Sequence, residues 1–217
     1  MPAPTVNYEN GLLSWPPVEG AKTYNVYRNG KLMTKIPVTN AKLTLAGYNS
    51  YQVTAVDKNN VESFASEPIE VMTASLEKRY EAEAVTAKAN YEYKGFTGEG
   101  FVEISKEINA KLIIPITVDE AGLYSIDFRY ANGNGPTNTE NKCAIRTLSV
   151  DNKNTGTVVL PQRGKGEWSN WGFTNSVMVS LQPGKHTVTL SFEAFNENMN
   201  GKINQAMLDY MRVVKIK

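Results

Sequence analysis

The stretch Gly122-Leu123-Tyr124-Ser125-Ile126-Asp127-Phe128-Arg129-Tyr130 decides the fold class. Tyr124, Ile126, Phe128 and Tyr130 fall at every second position, with Ser125, Asp127 and Arg129 between them. Successive side chains of a strand point to opposite faces, so this spacing predicts a strand with one face in a core and the other polar. Val188-Thr189-Leu190-Ser191-Phe192 repeats the pattern.

Working outward, further strands are expected at Thr23 to Tyr27, Ser50 to Val56, Lys111 to Val118, Thr157 to Leu160, Ser176 to Leu181 and Leu208 to Ile216. Turn signals such as Arg28-Asn29-Gly30 and Gln182-Pro183-Gly184 bound them. No segment sustains an amphipathic helix of three turns. Many short strands without intervening helices predict an all-β chain built of sandwiches, not a parallel α/β sheet.

Bulk composition narrows the function classes. Hydrophobic residues make up 41% and charged residues 21% of 217 residues, enough to bury cores in one large or two modest domains. With 23 basic and 22 acidic residues the formal net charge is +1, so no global field draws nucleic acid or an anionic membrane. No apolar run approaches the roughly 18 residues that span a bilayer, so membrane insertion is not expected. The start Met1-Pro2-Ala3-Pro4 lacks a basic region followed by an apolar core, which also fits a piece of a longer polypeptide. The single cysteine, Cys143, excludes an internal disulfide and a cysteine-built metal site, and beside Ala144 and Ile145 it reads as a small core residue.

The polar stretch Thr73 to Arg79 separates two patterns and predicts domains at 1–73 and 79–217. In the first, Leu13-Ser14-Trp15-Pro16-Pro17-Val18 followed by Tyr24-Asn25-Val26-Tyr27 resembles the opening strands of fibronectin type III domains, with Trp15 as a core aromatic. Leu45-Ala46-Gly47 ahead of Tyr51-Gln52-Val53-Thr54-Ala55-Val56 resembles the tyrosine-corner strand of such immunoglobulin-like sandwiches. Nothing in this half assembles chemistry, so it reads as a spacer or docking surface.

The second domain opens on Tyr80-Glu81-Ala82-Glu83-Ala84. On a strand, carboxylates at i and i+2 share a face about 7 Å apart, which asks for a cation. Asp209, flanked by apolar residues in Met207-Leu208-Asp209-Tyr210-Met211, is costly to bury unless paired or metal-bound. Hard oxygen donors suit calcium better than zinc. Solvation, or pairing of Glu81 and Glu83 with Lys78 and Arg79, is the alternative that spacing leaves open.

The order Tyr80-Glu81-Ala82-Glu83, Gly95-Phe96-Thr97-Gly98-Glu99-Gly100-Phe101-Val102, Phe128-Arg129-Tyr130-Ala131-Asn132-Gly133, Gly166-Glu167-Trp168-Ser169-Asn170-Trp171 and Leu208-Asp209-Tyr210 resembles carbohydrate-binding modules of family 35 and the related family 6. The resemblance implies a galactose-binding-like jelly roll. It also implies a structural calcium held by Glu81, Glu83 and Asp209, and a sugar site on loops at one end. The partners it implies are a glycan ligand and the catalytic domain of a longer parent chain, in a monomeric, extracellular, cell-surface or periplasmic setting.

Sugar sites combine an aromatic platform with short polar side chains. Trp168 is the expected platform, with Trp171 mostly core. Phe101, Arg129 and the amides Asn132 and Asn134 are candidate sugar contacts, although Gly and Asn are also ordinary turn residues. One departure stands out: many relatives carry an Asn two residues before the closing Asp, where this chain has Met207. Nearby Asn204, or the loop Phe195 to Gly201, is the expected substitute. A vestigial cleft, leaving both domains as structural spacers, is the alternative.

Catalysis has little to stand on. The only histidine, His186, begins a strand and reads as a turn or edge residue, and one His and one Cys far apart make no nucleophile-base pair. Glu81 and Glu83 have a glycosidase-like proximity, but a calcium would occupy them.

Overall fold

The computed structural model describes residues 1–43, 47–133, 143–164, 166–197 and 204–217. They form two compact units, Met1–Leu76 and Glu77–Lys217, each made of strands with three short 3₁₀ turns in the chain and no α-helix among the described residues.

The first unit contains β1 (Asn7–Glu9), β2 (Leu12–Ser14), β3 (Thr23–Arg28), β4 (Lys31–Ile36), β5 (Asn40–Lys42), β6 (Tyr48–Val56) and β7 (Ile69–Met72). Three strands in the order β1-β2-β5 and four in the order β4-β3-β6-β7 make its two sheets. Leu13, Trp15, Val26, Tyr51 and Val53 are buried between them, and the Trp15 ring meets Tyr24 edge-on at 5.4 Å. Trp15 is therefore the core aromatic that its place in the strand pattern predicts. Tyr24 is fixed in turn by the Val18 amide, which donates to its hydroxyl at 2.9 Å. Leu45 and Ala46 of the expected corner lie outside the described residues.

The second unit contains β8 (Glu77–Glu81), β9 (Val102–Ile104), β10 (Lys111–Val118), β11 (Gly122–Ala131), β12 (Cys143–Val150), β13 (Lys153–Pro161), β14 (Gly172–Phe173), β15 (Val177–Leu181), β16 (Gly184–Ser191) and β17 (Ala206–Lys215). One sheet runs β10-β16-β12-β13. The other runs β14-β11-β17-β8, with β15 also on β11 and β9 also on β17. All pairs are antiparallel. Alternation sets the faces: along β10, Leu112, Ile114, Ile116 and Val118 are buried while Lys111, Ile113, Pro115 and Thr117 are exposed. Pro115 is tolerated because β10 is an edge strand. Ile126, Phe128, Leu148, Leu160, Val188, Leu190 and Val213 fill the interior, each buried side chain contributing about 1.5–3 kcal/mol.

Two departures from the expected pattern matter. Glu77 to Arg79, which the sequence pattern assigns to a connector, are the start of β8. Their charges stay at the surface in ion pairs, Arg79 with Glu77 at 2.5 Å and Lys78 with Asp119 at 2.7 Å, while the backbone pairs with β17. A strand with both faces polar carries no period-two signal.

The second departure is a bulge. In the pairing of β11 with β17, Arg129 faces Tyr210 but Tyr130 faces Leu208, so Asp209 is the extra residue. A bulge re-aims side chains locally. Here it sends Asp209 toward Arg129 instead of into the apolar interior.

Candidate functional site

Glu81 closes β8, and the 3₁₀ turn Ala82–Ala84 follows, pinned by the buried Ala82. Glu81 and Glu83 thus approach each other across a corner, not by alternation on a strand as the spacing suggested. Both carboxylates converge on Gly98: a β-carbon there would lie 2.6 Å from Glu83 Oε1 and 3.0 Å from Glu81 Oε2. Gly98 sits at φ +63, a left-handed conformation that glycine adopts freely.

The loop around Gly98 is tied to all three acids. Amides of Glu99 and Gly100 donate to Glu83 Oε1 at 2.9 and 3.1 Å. The Thr97 amide donates to Asp209 at 3.0 Å and its hydroxyl contacts Glu81 Oε2 at 3.4 Å. Arg129 pairs with Asp209, donates to the Gly95 carbonyl at 3.0 Å, and lies over the Trp171 ring. Arg129 is therefore committed to the acid cluster, not to the sugar contacts among which the sequence places it.

Burial raises the Asp209 carboxyl above its usual range despite the Thr97 and Arg129 donors. Burial first, then Glu83 and Asp209, raises Glu81. Such strain is what a cation relieves. Among the described residues, no set of three His, Cys, Asp or Glu side chains stands in a metal-holding arrangement. The donor chemistry nevertheless fits a hard cation at two of the three expected ligands: Glu81 and Glu83 converge, and Glu83 Oε2 is buried without a hydrogen bond. Asp209, as it stands, is neutralised by Arg129.

A second cluster forms beyond this loop. Phe101, Ala131 and Met207 are buried, with Tyr93, Phe96, Trp168 and Trp171 packed on them. Tyr93 lies nearly parallel to Trp168 at 5.9 Å and 10°, to Phe101 at 5.7 Å and 23°, and to Tyr91 at 5.2 Å and 17°. Tyr91 is 44% exposed. Its hydroxyl donates to Glu103 at 2.9 Å, and Gln205 donates to the other oxygen of Glu103 at 2.6 Å. Trp171 leans on Phe101 and donates its indole N–H to the Lys94 carbonyl at 2.7 Å. Parallel rings ending in an exposed face, with polar atoms on the rim, can hold the C–H face of a ligand and hydrogen-bond its edge.

Several expected contacts are turned inward. Phe101, 2% exposed, is the floor under the rings. Asn132 is fully buried and donates to the Leu160 carbonyl at 3.0 Å. Its loop does meet the Trp168 loop, since a β-carbon on Gly133 would lie 2.2 Å from the Glu167 backbone, but the meeting is made by backbone. Asn204 is buried, accepting from the Ile145 amide at 3.0 Å and from Arg146, and donating to the Asn196 carbonyl at 3.0 Å. These three side chains hold the fold instead of facing a ligand. Asn134 lies outside the described residues. Trp168 does join the platform. Tyr91 and Tyr93 were not anticipated, and their i, i+2 spacing is the signal that was there to use.

His186 ties two turns, contacting Asp151 at 2.7 Å and the Gln182 carbonyl at 2.7 Å. Cys143, half-buried at the start of β12, has its thiol pushed up by burial. The two stand on different strands, His186 on β16 and Cys143 on β12.

No protein-family model matches the chain. A cycloisomaltooligosaccharide glucanotransferase of Niallia circulans is 36% identical over 129 residues, 58% of this chain and 12% of that protein. An isomaltosyltransferase of Sporosarcina globispora is 28% identical over 191 residues, 82% of this chain and 16% of that protein. The chain thus spans a small fraction of the curated relatives it matches. Among solved structures, a family 35 carbohydrate-binding module from Cellvibrio japonicus Abf62 is 21% identical, covering 65% of this chain and 94% of the module with a TM-score of 0.47.

Proposed function

We propose that this chain is a carbohydrate-binding accessory segment of a larger carbohydrate-active enzyme. In this reading its second unit is a family 35-like module that grips a glucan, and its first unit is a fibronectin type III-like spacer. The observation that carries the proposal is the stack Tyr91–Tyr93–Trp168, exposed at one end and rimmed by Glu103 and Gln205. Identity to enzymes named for isomaltooligosaccharides supports an α-1,6-linked glucan as the ligand. The matched fraction of those enzymes, 12% and 16%, supports a role in targeting, not in chemistry. The three-plus-four strand arrangement around Trp15 supports the spacer reading. A polymeric ligand places the parent enzyme at or beyond the cell surface.

Binding follows from the geometry. Tyr93 is packed against the rings of Tyr91, Phe101 and Trp168, so the platform is preorganised and little side-chain entropy is lost on contact. Met207 beneath the rings, where a polar residue is expected from the resemblance, leaves orientation to the rim. Calcium, when bound, would be held by Glu81 and Glu83 and would neutralise the carboxylates that position the Thr97–Gly100 loop.

Isothermal titration with isomaltooligosaccharides tests the proposal. Binding that falls at least tenfold in Tyr93→Ala and in Trp168→Ala is expected. Absence of binding across neutral, uronic and deoxy sugars would leave the spacer role alone.

A further inference from the structure

The second unit carries a groove of about 370 Å³ whose lining residues are not those of the ring stack, in the size range of small-ligand sites. It opens between the free edges of the two sheets, with Val159 and Pro161 of β13 on one side and Phe173 of β14 on the other. Tyr130 and Arg163 line it as well.

Three features distinguish it from a packing defect. The Arg163 guanidinium lies 5.7 Å over the Tyr130 ring, and its Nε donates to the Asn170 carbonyl at 3.0 Å. The guanidinium also hydrogen-bonds the Tyr130 side chain, and among the described residues no carboxylate pairs with it, so its five N–H donors outnumber these bonds. Gly172 makes room for it: a β-carbon there would lie 2.1 Å from the guanidinium carbon.

The aromatic wall is also incomplete. Arg212 covers one face of Phe173 at 4.0 Å, yet the ring stays 39% exposed. Asn175 meanwhile accepts from the Val159 amide at 2.8 Å and donates to the Thr157 carbonyl at 2.9 Å. Those bonds occupy the edge of β13, so another strand cannot add there. A planar multi-donor cation, an exposed ring and a blocked strand edge suit a hydroxyl-rich pyranose.

We infer that this groove is a second glycan subsite, taking a pyranose unit of the same glucan that the ring stack engages. The inference rests on the reading of the chain as a glucan binder. Two weak sites on one sandwich would act on one polymer through effective concentration, raising affinity for polymer above that for a short oligosaccharide.

The test is a titration of the ¹⁵N-labelled full chain with isomaltotriose, followed at individual amides. Shifts are expected at Arg163, Phe173, Thr174 and Asn175 as well as at Tyr91 to Tyr93, with the first group persisting in Tyr93→Ala. Arg163→Ala and Phe173→Ser should each weaken the first group at least about tenfold, the loss of one charge-assisted hydrogen bond or of the ring contact. Movement of residues 91 to 93 with silent groove amides in the native chain overturns the groove and leaves the function standing. So does loss of every shift in Tyr93→Ala. Silence at both places overturns the functional reading itself. The native-chain map keeps the inference open to refutation should a groove variant fail to fold.

Discussion

Replacing Gly98 by alanine should disable the acid cluster without touching an acid. Two costs are separable. The first is conformational: at φ +63 an L-residue costs about 1 kcal/mol more than glycine. The second is the contact, because the new methyl would lie 2.6 Å from Glu83 Oε1 and 3.0 Å from Glu81 Oε2. Glu83 must swing away, losing the amides of Glu99 and Gly100. Hydrogen bonds to charged groups are worth about 1.5–3 kcal/mol each, and water at this exposed loop restores part, leaving about 2 kcal/mol. Gly166 supplies the control, since it has the same φ of +63 and a methyl group added there would meet nothing within 4 Å. For a unit of this size 1 kcal/mol corresponds to about 4 °C in melting temperature. Differential scanning calorimetry should therefore show Gly166→Ala lowering the melt of the second unit by about 4 °C and Gly98→Ala by about 12 °C. Equal drops for the two variants would refute the claim that both carboxylates are held against Gly98.

Calcium should raise the melting temperature of the second unit, by about 2.7 kcal/mol equivalent at a hundredfold excess over Kd, and Glu83→Gln should abolish the effect; a melt indifferent to calcium and to chelator counts against the metal. In the first unit, Thr54, Tyr27 and Asn25 donate to Glu62 and hold its carboxyl below the usual range. A depressed carboxyl contributes stability above its unfolded value and loses it as pH falls, so acid titration below about pH 4.5 should weaken this unit, and Glu62→Gln should flatten that slope in urea melts. Asp151, then the Gln182 carbonyl, raises His186, while His186 and the Thr187 amide lower Asp151. The His contribution is complete below about pH 6.5 and lost as pH rises through its raised value. The Asp contribution is lost on acidification. His186→Gln should remove the decline on the alkaline side, read by chemical denaturation between pH 6 and 9.

Strands were legible where one face is buried. The alternation over Lys111 to Val118 coincides with β10, and the Tyr124 to Tyr130 pattern lies inside β11. It failed where a strand has no apolar face, as at Glu77 to Arg79, and it shortened β13, whose first residues Lys153 to Thr155 lie at an exposed edge. There the backbone ladder alone holds the chain, and side-chain chemistry leaves no trace in the sequence.

The candidate site was harder to read for a related reason. Alternation assigns a side chain to a face only while register is kept, and a bulge breaks it at the position that matters. Strict alternation puts Asp209 opposite Tyr210, in the apolar interior. The extra residue opposite Arg129 puts the two on the same side, within pairing distance. Arg129 was therefore expected at a sugar and is found on an acid. Amides met the opposite fate: Asn132 and Asn204 look like ligand-binding residues because they donate and accept, and those are the properties that let them satisfy buried backbone groups. What distinguishes the two uses is burial, which is set by which loops pack on which strands. Aromatic residues in Tyr91-Glu92-Tyr93 carried the better signal, since two rings on one side of an extended chain, with no strand partner for their segment, need another surface to stack on. Phe101 and Trp168 are that surface, and the 75 positions along the chain between Tyr93 and Trp168 are why only the folded structure could join those two.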